Sequence, residues 1–309
     1  RLARAHRDRP VSTQRKLKSG LYAGDCLDIL PTLVGQVEID LVYWDPPFAA
    51  GRTRGARAEK GERLKGEAAY HDAWGGIDAW LEMMRSRAEL VCQMFSPQGS
   101  IWLHLDHRAV HEAKWLFDEL FGRKAFKGEI IWVPGNGARY TKGPSLTHQT
   151  ILVYAPRGKL IWNVDHPALR EPFAETSQRM HFRQVDAEGR RYRERVIGGK
   201  AYRYYADVGR RLGSVWTDCP AMNANTPLTQ ETTGYPTQKP ESLLERIIHA
   251  ASLPNSWVLD PMSGSGTTLA VARRLERRWL GVDRSPVALR IASQRLGVEV
   301  ARPARRSRG

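Results

Sequence analysis

Asp45, Pro46, Pro47 and Phe48 are the residues of this 309-residue chain whose types and spacing are most suited to chemistry. A carboxylate, two prolines and an aromatic ring follow directly on the apolar run Ile39-Asp40-Leu41-Val42-Tyr43-Trp44. Proline fixes φ and has no N–H to give to a ladder. Pro46-Pro47 therefore ends the strand and holds the flanking side chains and carbonyls in one arrangement. The stretch reads as a stiff, exposed chemical tip, and taken alone the same residues would also serve as a capped strand end with an Asp turn.

A second constellation lies more than two hundred residues further on. Trp257-Val258-Leu259 leads into Asp260-Pro261-Met262-Ser263-Gly264-Ser265-Gly266-Thr267-Thr268, and a helical stretch follows. Strand, glycine loop and helix make a nucleotide-type cradle: Gly264 and Gly266 let backbone approach a ligand, and the helix start offers unpaired N–H groups. It is not a phosphate loop, because no Gly-Lys-Ser/Thr follows, and Leu269 stands where a dinucleotide fingerprint has its third glycine. The next strand, Trp279-Leu280-Gly281-Val282, ends in Asp283, where an acid can accept from both hydroxyls of a ribose.

The elements that must carry these residues alternate between short apolar strands and helical stretches, which predicts an α/β fold with a mainly parallel sheet. Strands are expected at 20–23, 39–44, 100–105, 129–133, 150–154, 257–259 and 279–282, and helices at 78–95, 107–120, 240–252, 267–278 and 286–296. Residues 51–70 carry Arg52, Arg54 and Arg57 among glycines without apolar periodicity and are expected to form a mobile loop. From Arg157 to about Asn225, aromatics interleave with arginines, a pattern suited to gripping phosphates and stacking on bases or, equally, to a small β-rich core. Lys plus Arg number 48 against 33 acids, a net charge of +15 that points to a polyanionic partner. The three cysteines, Cys26, Cys92 and Cys219, show no paired spacing, so neither a disulfide framework nor a zinc site is indicated. His104 and Asp106 fall on one strand and its edge rather than in a ligand set, so no metal is expected. No apolar run approaches the roughly 20 residues that span a bilayer, and the basic start lacks a hydrophobic signal core; a cytoplasmic protein is expected.

With both motifs in hand, the chain resembles the β-class S-adenosylmethionine-dependent DNA amino-methyltransferases, the N6-adenine/N4-cytosine family. The Asp-Pro-Pro-Phe motif precedes the arginine-rich insertion and the glycine loop follows it, which is the circularly permuted, catalytic-half-first order of that class. Gly234-Tyr235-Pro236-Thr237-Gln238-Lys239-Pro240 and Gly24-Asp25-Cys26 are similar to further family segments, whereas Met262 departs from the family's usual phenylalanine. The resemblance implies a Rossmann-like methyltransferase fold with a seven-stranded, mainly parallel sheet. It divides the chain into a basic tail (1–19), a catalytic half (20–156), a target-recognition insertion (157–226), a cofactor-binding half (227–297) and a second basic tail (298–309).

The resemblance also implies roles. Asp45 and the Pro46 carbonyl would accept hydrogen bonds from an exocyclic amine, with Pro47 stiffening the tip and Phe48 stacking on a base turned out of the duplex. S-adenosyl-L-methionine would lie against Asp260, Met262, Ser263, Gly264, Ser265, Gly266, Thr267 and Thr268, with Asp283 at the ribose, Asp25 and Cys26 at the adenine, and Thr237 and Lys239 closing the methionine end. Double-stranded DNA would meet Arg52, Arg54, Arg57, Arg191, Arg193, Arg195 and Arg203. The resemblance also allows a cognate restriction endonuclease and a second copy of the chain as partners. Adenine N6 is favoured over cytosine N4 because the motif opens with Asp. Carbon-5 chemistry is rejected, since the chain has Cys219-Pro220 where a Pro-Cys nucleophile is needed. The remaining alternatives are a methyltransferase for RNA or a protein amide, and a silent DNA-binding relative.

Overall fold

The computed structural model describes residues 17–48, 74–135, 137–138, 140–222 and 231–302, together with the backbone of 53–57 and 63–71. In chain order the first half holds β1 (Gly20–Ala23), α1 (Cys26–Leu33), β2 (Ile39–Trp44), β3 (Thr53–Arg57), β4 (Arg63–His71), α2 (Ile77–Cys92), β5 (Phe95–Leu105), α3 (Val110–Phe121), β6 (Phe126–Trp132) and β7 (Gln149–Tyr154). The middle contributes β8 (Arg170–Glu171), α4 (Glu175–His181), β9 (Gln184–Val185), β10 (Arg191–Ile197), β11 (Lys200–Tyr205), β12 (Arg210–Arg211) and β13 (Val215–Trp216). The last part is α5 (Glu241–Ala251), β14 (Trp257–Asp260), α6 (Thr267–Arg274), β15 (Arg278–Asp283), α7 (Pro286–Leu296) and β16 (Val300–Ala301).

One nine-stranded sheet runs β13-β6-β7-β5-β2-β14-β15-β1-β16. The seven inner strands are those expected from sequence, and two short edge strands extend them. Only β7 runs antiparallel to its neighbours. Strand residues alternate between the two faces, so successive side chains enter different cores. On β5, Ile101, Leu103 and Leu105 enter the core with α1, α2 and α3. Trp102 enters the other, with α5, α6 and α7. The sheet is thus covered by helices on both faces, which is why its strands read as near-continuous apolar runs.

Three expectations need correction. Residues 53–57 and 63–71, read as loop, form the antiparallel pair β3–β4 with register shifts around Gly55. Such a ribbon closes through main-chain hydrogen bonds, which need no apolar stripe for a periodicity search to find. Val300, read as the start of a basic tail, pairs with Leu21 as β16 extends the sheet. Residues 26–33 form a helix that the reading lacked, because Pro31 inside it reads as a breaker. Among the described residues no helix is long and apolar enough to cross a membrane.

The seam that matters for function is β2 beside β14, Leu41 against Val258 and Val42 against Leu259. From β2 the chain continues to β5 on one side, and from β14 to β15 on the other. Strand order therefore reverses at this seam, and ligands of open α/β sheets bind outside the carboxyl ends of the strands at such a point. Asp45, Asp260 and Asp283 all stand at carboxyl ends there. Gly99 sets the spacing of the β2–β5 pair, since a Cβ on it would lie 2.5 Å from the Ile39 carbonyl oxygen and 2.3 Å from the Phe95 ring. Gly99→Ala should cost about 1–3 kcal/mol through forced backbone displacement. An unchanged urea midpoint would contradict this.

Candidate active site

A cavity of about 550 Å³ opens over the seam. All four residues of the Asp45–Phe48 tip line it, as do the expected cofactor-side residues apart from Gly266. The tip is held from beneath: Trp80 on α2 is fully buried and its Nε1 donates to the Pro47 carbonyl at 2.6 Å. Asp45 Oδ2 accepts a hydrogen bond and ion pair from Lys239 Nζ. Its Oδ1 is buried and has no hydrogen-bond partner among the described residues. Burial pushes the Asp45 carboxyl above its ordinary range, and Lys239 opposes that shift.

Below the tip runs a polar chain that sequence reading missed. Tyr43 Oη donates to His104 Nδ1 at 2.7 Å, and His104 Nε2 lies 2.7 Å from Gln149 Oε1. With Oε1 as acceptor, the imidazole is neutral and protonated on Nε2, and burial holds its pKa well below the usual histidine value. Tyr43 could have been found from the sequence, because two positions before Asp45 is the same face of the strand. His104 is therefore a buried hydrogen-bonded histidine, and no cluster fit to hold a metal occurs among the described residues.

The glycine loop is held by its acid. Asp283 Oδ2 accepts from Gly264 N–H at 2.8 Å and Oδ1 from Ser285 N–H at 2.8 Å. Gly264 has φ 50°, and a Cβ there would press on the Tyr235 ring at 3.2 Å. Gly266, expected against the cofactor, instead caps α6 with φ 75°, where a Cβ would meet Ala292 Cβ at 3.0 Å; it serves helix packing. The absent third glycine is also explained. A Cβ on Gly281 would fall 2.2 Å from Leu269 Cδ1, so the strand rather than the helix supplies the small residue at that contact.

Other expected residues fall as follows. Asp25 lines the cavity and caps α1 through Leu27 N–H at 3.0 Å, with its other oxygen on Arg87 at 2.6 Å. Although burial pushes it up, the Leu27 N–H and Arg87 hold its carboxyl below the ordinary value. It is both turn acid and cavity wall. Burial pushes the Cys26 thiol up to about 12, so it is not a thiolate nucleophile. Thr237 has φ 61°, rare for a β-branched residue, in a loop braced by Gln238, which accepts from Thr233 and donates to the Glu231 carbonyl. Lys239, expected at the methionine end, lines the cavity and is bonded to Asp45. Trp74 and Arg284 also line the cavity, without a motif to announce them.

The arginines divide. Arg52 lies outside the described residues, and Arg54 and Arg57 are placed on β3 by backbone alone. On β10, Arg191, Arg193 and Arg195 share one face with Tyr204 and Tyr202 of β11, their neighbours across the ladder. Arg193, half-buried, lies over the rings of Phe182, Phe173 and Tyr204 at 5.0–5.7 Å. Arg203, on the other face, lies over Tyr192 and pairs with Glu194 at 3.5 Å. Arg191 and Arg195 are exposed, together with Tyr202 and Tyr204.

Residues 39–294 match the N6/N4 family of DNA methylases. The chain belongs to that family. The methylase is 27% identical to the type II methyltransferase M.EcaI of Enterobacter cloacae, over 91% of this chain and 69% of that protein. It is 26% identical to M2.DpnII of Streptococcus pneumoniae, over 84% of this chain and 83% of the relative. Its fold is similar to that of M1.HpyAVI solved with S-adenosylmethionine, with a TM-score of 0.53, 20% identity, and 90% of this chain and 99% of that one covered. It is also similar to the cytosine-N4-specific PvuII DNA methyltransferase, with a TM-score of 0.57, 15% identity, and 91% and 86% covered.

Three carboxyls of the methylase converge on the seam, and burial pushes Asp260 up to about 7 against its bonds from Thr268 and Met262 N–H. The folded value is raised, so the stability gained from neutral Asp260 is complete below the unfolded value near ~4 and is lost as pH rises through about 7. Asp260→Asn should therefore gain melting temperature relative to the parent as pH rises from roughly 5 to roughly 8. A melting difference constant over that range would show that Asp260 does not titrate there.

Proposed function

We propose that this methylase transfers the methyl group of S-adenosyl-L-methionine to the N6 amino group of an adenine turned out of double-stranded DNA. The observation that carries the reading is Asp45 Oδ1, a buried acceptor without a partner among the described residues, in the same cavity as the glycine loop.

The residues present fit the donor. Asp45, Asp260 and Asp283 all have carboxyls that burial pushes up, so the cavity favours a ligand carrying positive charge. Ser263 Oγ is buried without a partner among the described residues, at the loop where the amino-acid end would lie, beside Gly264, Thr267 and Thr268. Asp283 uses one bond on each oxygen to hold the loop and keeps lone pairs for ribose hydroxyls. Asp25, held by Arg87, and Cys26 would face the adenine. When bound, the cofactor supplies a methyl group on a sulfonium.

The chain's own part is to prepare a poor nucleophile. An exocyclic amine delocalises its lone pair into the ring, so acceptors on its N–H groups favour a more tetrahedral nitrogen. Asp45 Oδ1 and the Pro46 carbonyl would supply these, fixed by the two prolines and by Trp80 under Pro47. Such acceptors stand where positive charge develops as the nitrogen bonds to carbon, and they need no reorganisation. Phe48, half-buried beside them, would stack on the extruded base, contributing about 1–3 kcal/mol against the lost pairing. No thiolate is used, in keeping with the raised Cys26 and Cys219 thiols. The exposed Arg191, Arg195, Tyr202 and Tyr204 would meet the duplex with half-buried Arg193 between them, while Arg203 is exposed on the other face.

The relatives' type II names support pairing with a cognate restriction endonuclease in a bacterial cytosol. Long-read sequencing of DNA from cells with and without the gene should show N6-methyladenine at one short sequence. A cytosine-N4 signal would reassign the base, and no added methylation would overturn the reading.

A further inference from the structure

We propose that Lys239 is a positioning residue that holds the Asp45 carboxylate with Oδ2 turned away, leaving Oδ1 to the reacting amine. The inference rests on the catalytic reading of Asp45 and moves Lys239 from the cofactor end to the chemistry.

The geometry is specific. Lys239 Nζ bonds Asp45 Oδ2 across 194 residues of sequence and lies 5.3 Å from the centre of the Phe48 ring. Its side chain is 8% exposed, so the ammonium is out of bulk water, where one charge strongly orients another. The loop that delivers it is braced by Gln238 on one side and begins α5 on the other, so the ammonium arrives in a fixed place. With one carboxylate oxygen occupied, the other is left unpaired in the cavity among the described residues. A carboxylate unrestrained by the ion pair could present either oxygen or turn from the site.

Charge makes the contact more than a strut. Asp45 faces Asp106 beyond β5 and Asp260 at the end of β14; Tyr43 and His104 beneath it are both held neutral by burial. Lys239 is the cation directly bonded to it. Without the ammonium, a part-buried acid beside two others would keep its proton to higher pH, and a protonated Asp45 accepts poorly. Lys239 also lies over the Phe48 face, so one side chain braces both the acceptor and the stacking ring.

The test uses the full chain with Lys239→Met and Lys239→Arg. Asp45 is titrated directly by carbon-13 NMR of labelled aspartate carboxyls, assigned through Asp45→Asn, and kcat/KM on DNA is followed against pH. Lys239→Met should raise the Asp45 midpoint by at least about one unit, and rate at neutral pH should fall at least about tenfold and recover as pH rises. Lys239→Arg should restore the parent midpoint and acid limb, and calorimetric affinity for S-adenosylmethionine should hold in both variants. An unmoved midpoint in Lys239→Met overturns the proposal, as does weakened cofactor affinity with an unshifted acid limb. A parent chain that methylates no DNA would instead refute the proposed function, while the NMR titration still decides the role of Lys239.

Discussion

The pairing of β2 with β14 is the constraint on which the site depends. The two strands are separated by more than two hundred residues, yet their main chains share a ladder and the Asp40 carboxylate accepts from Trp257 N–H at 2.9 Å. Neither strand alone carries a complete site. β2 ends in the Asp45–Phe48 tip without a glycine loop, and β14 ends in the glycine loop without that tip. Their adjacency sets Asp45 beside Asp260 and places the glycine loop against the Asp-Pro-Pro-Phe tip. The helices on both faces keep the seam dry, through cores that include Trp44 and Leu259 on one side and Tyr43 and Val258 on the other.

Dryness gives the carboxyls their character. Acids gathered in water would each ionise near ~4 and scarcely affect one another. At the seam burial pushes Asp45, Asp260 and Asp283 upward, and each is restrained by different groups: an ammonium, a hydroxyl with an N–H, and two N–H groups. On the proposed function the same type of side chain would serve as acceptor for a base, as wall of the loop and as ribose contact. Rigidity follows from the same economy of place, with Trp80 fixing the tip and Gly281 receiving Leu269 behind the loop.

Much of this was legible in the sequence where the signal is local. The seven inner strands follow from apolar runs, the start of α6 from the glycine loop ahead of Thr267, and α7 lies over the residues 286–296 expected of it. The order of the motifs around the insertion gave the family and the two halves of the site. What was not legible lacks a local signature. The β3–β4 ribbon has no periodic stripe, and α1 hides behind Pro31. The Lys239–Asp45 bond joins residues that share no motif. Arg193 has the composition of a DNA contact, and only the folded chain brings Phe173, Phe182 and Tyr204 to its guanidinium.

The central claim is that the two halves divide the labour within one cavity, the tip acting on the amine and the loop holding the donor. Asp45→Ala separates them, provided that S-adenosylmethionine affinity by calorimetry and transfer of a labelled methyl group to DNA are measured on the same preparation. The account predicts donor affinity close to that of the parent chain, with transfer reduced by roughly a hundredfold or more. Transfer at the parent rate, or loss of donor binding in proportion to the loss of transfer, would contradict it.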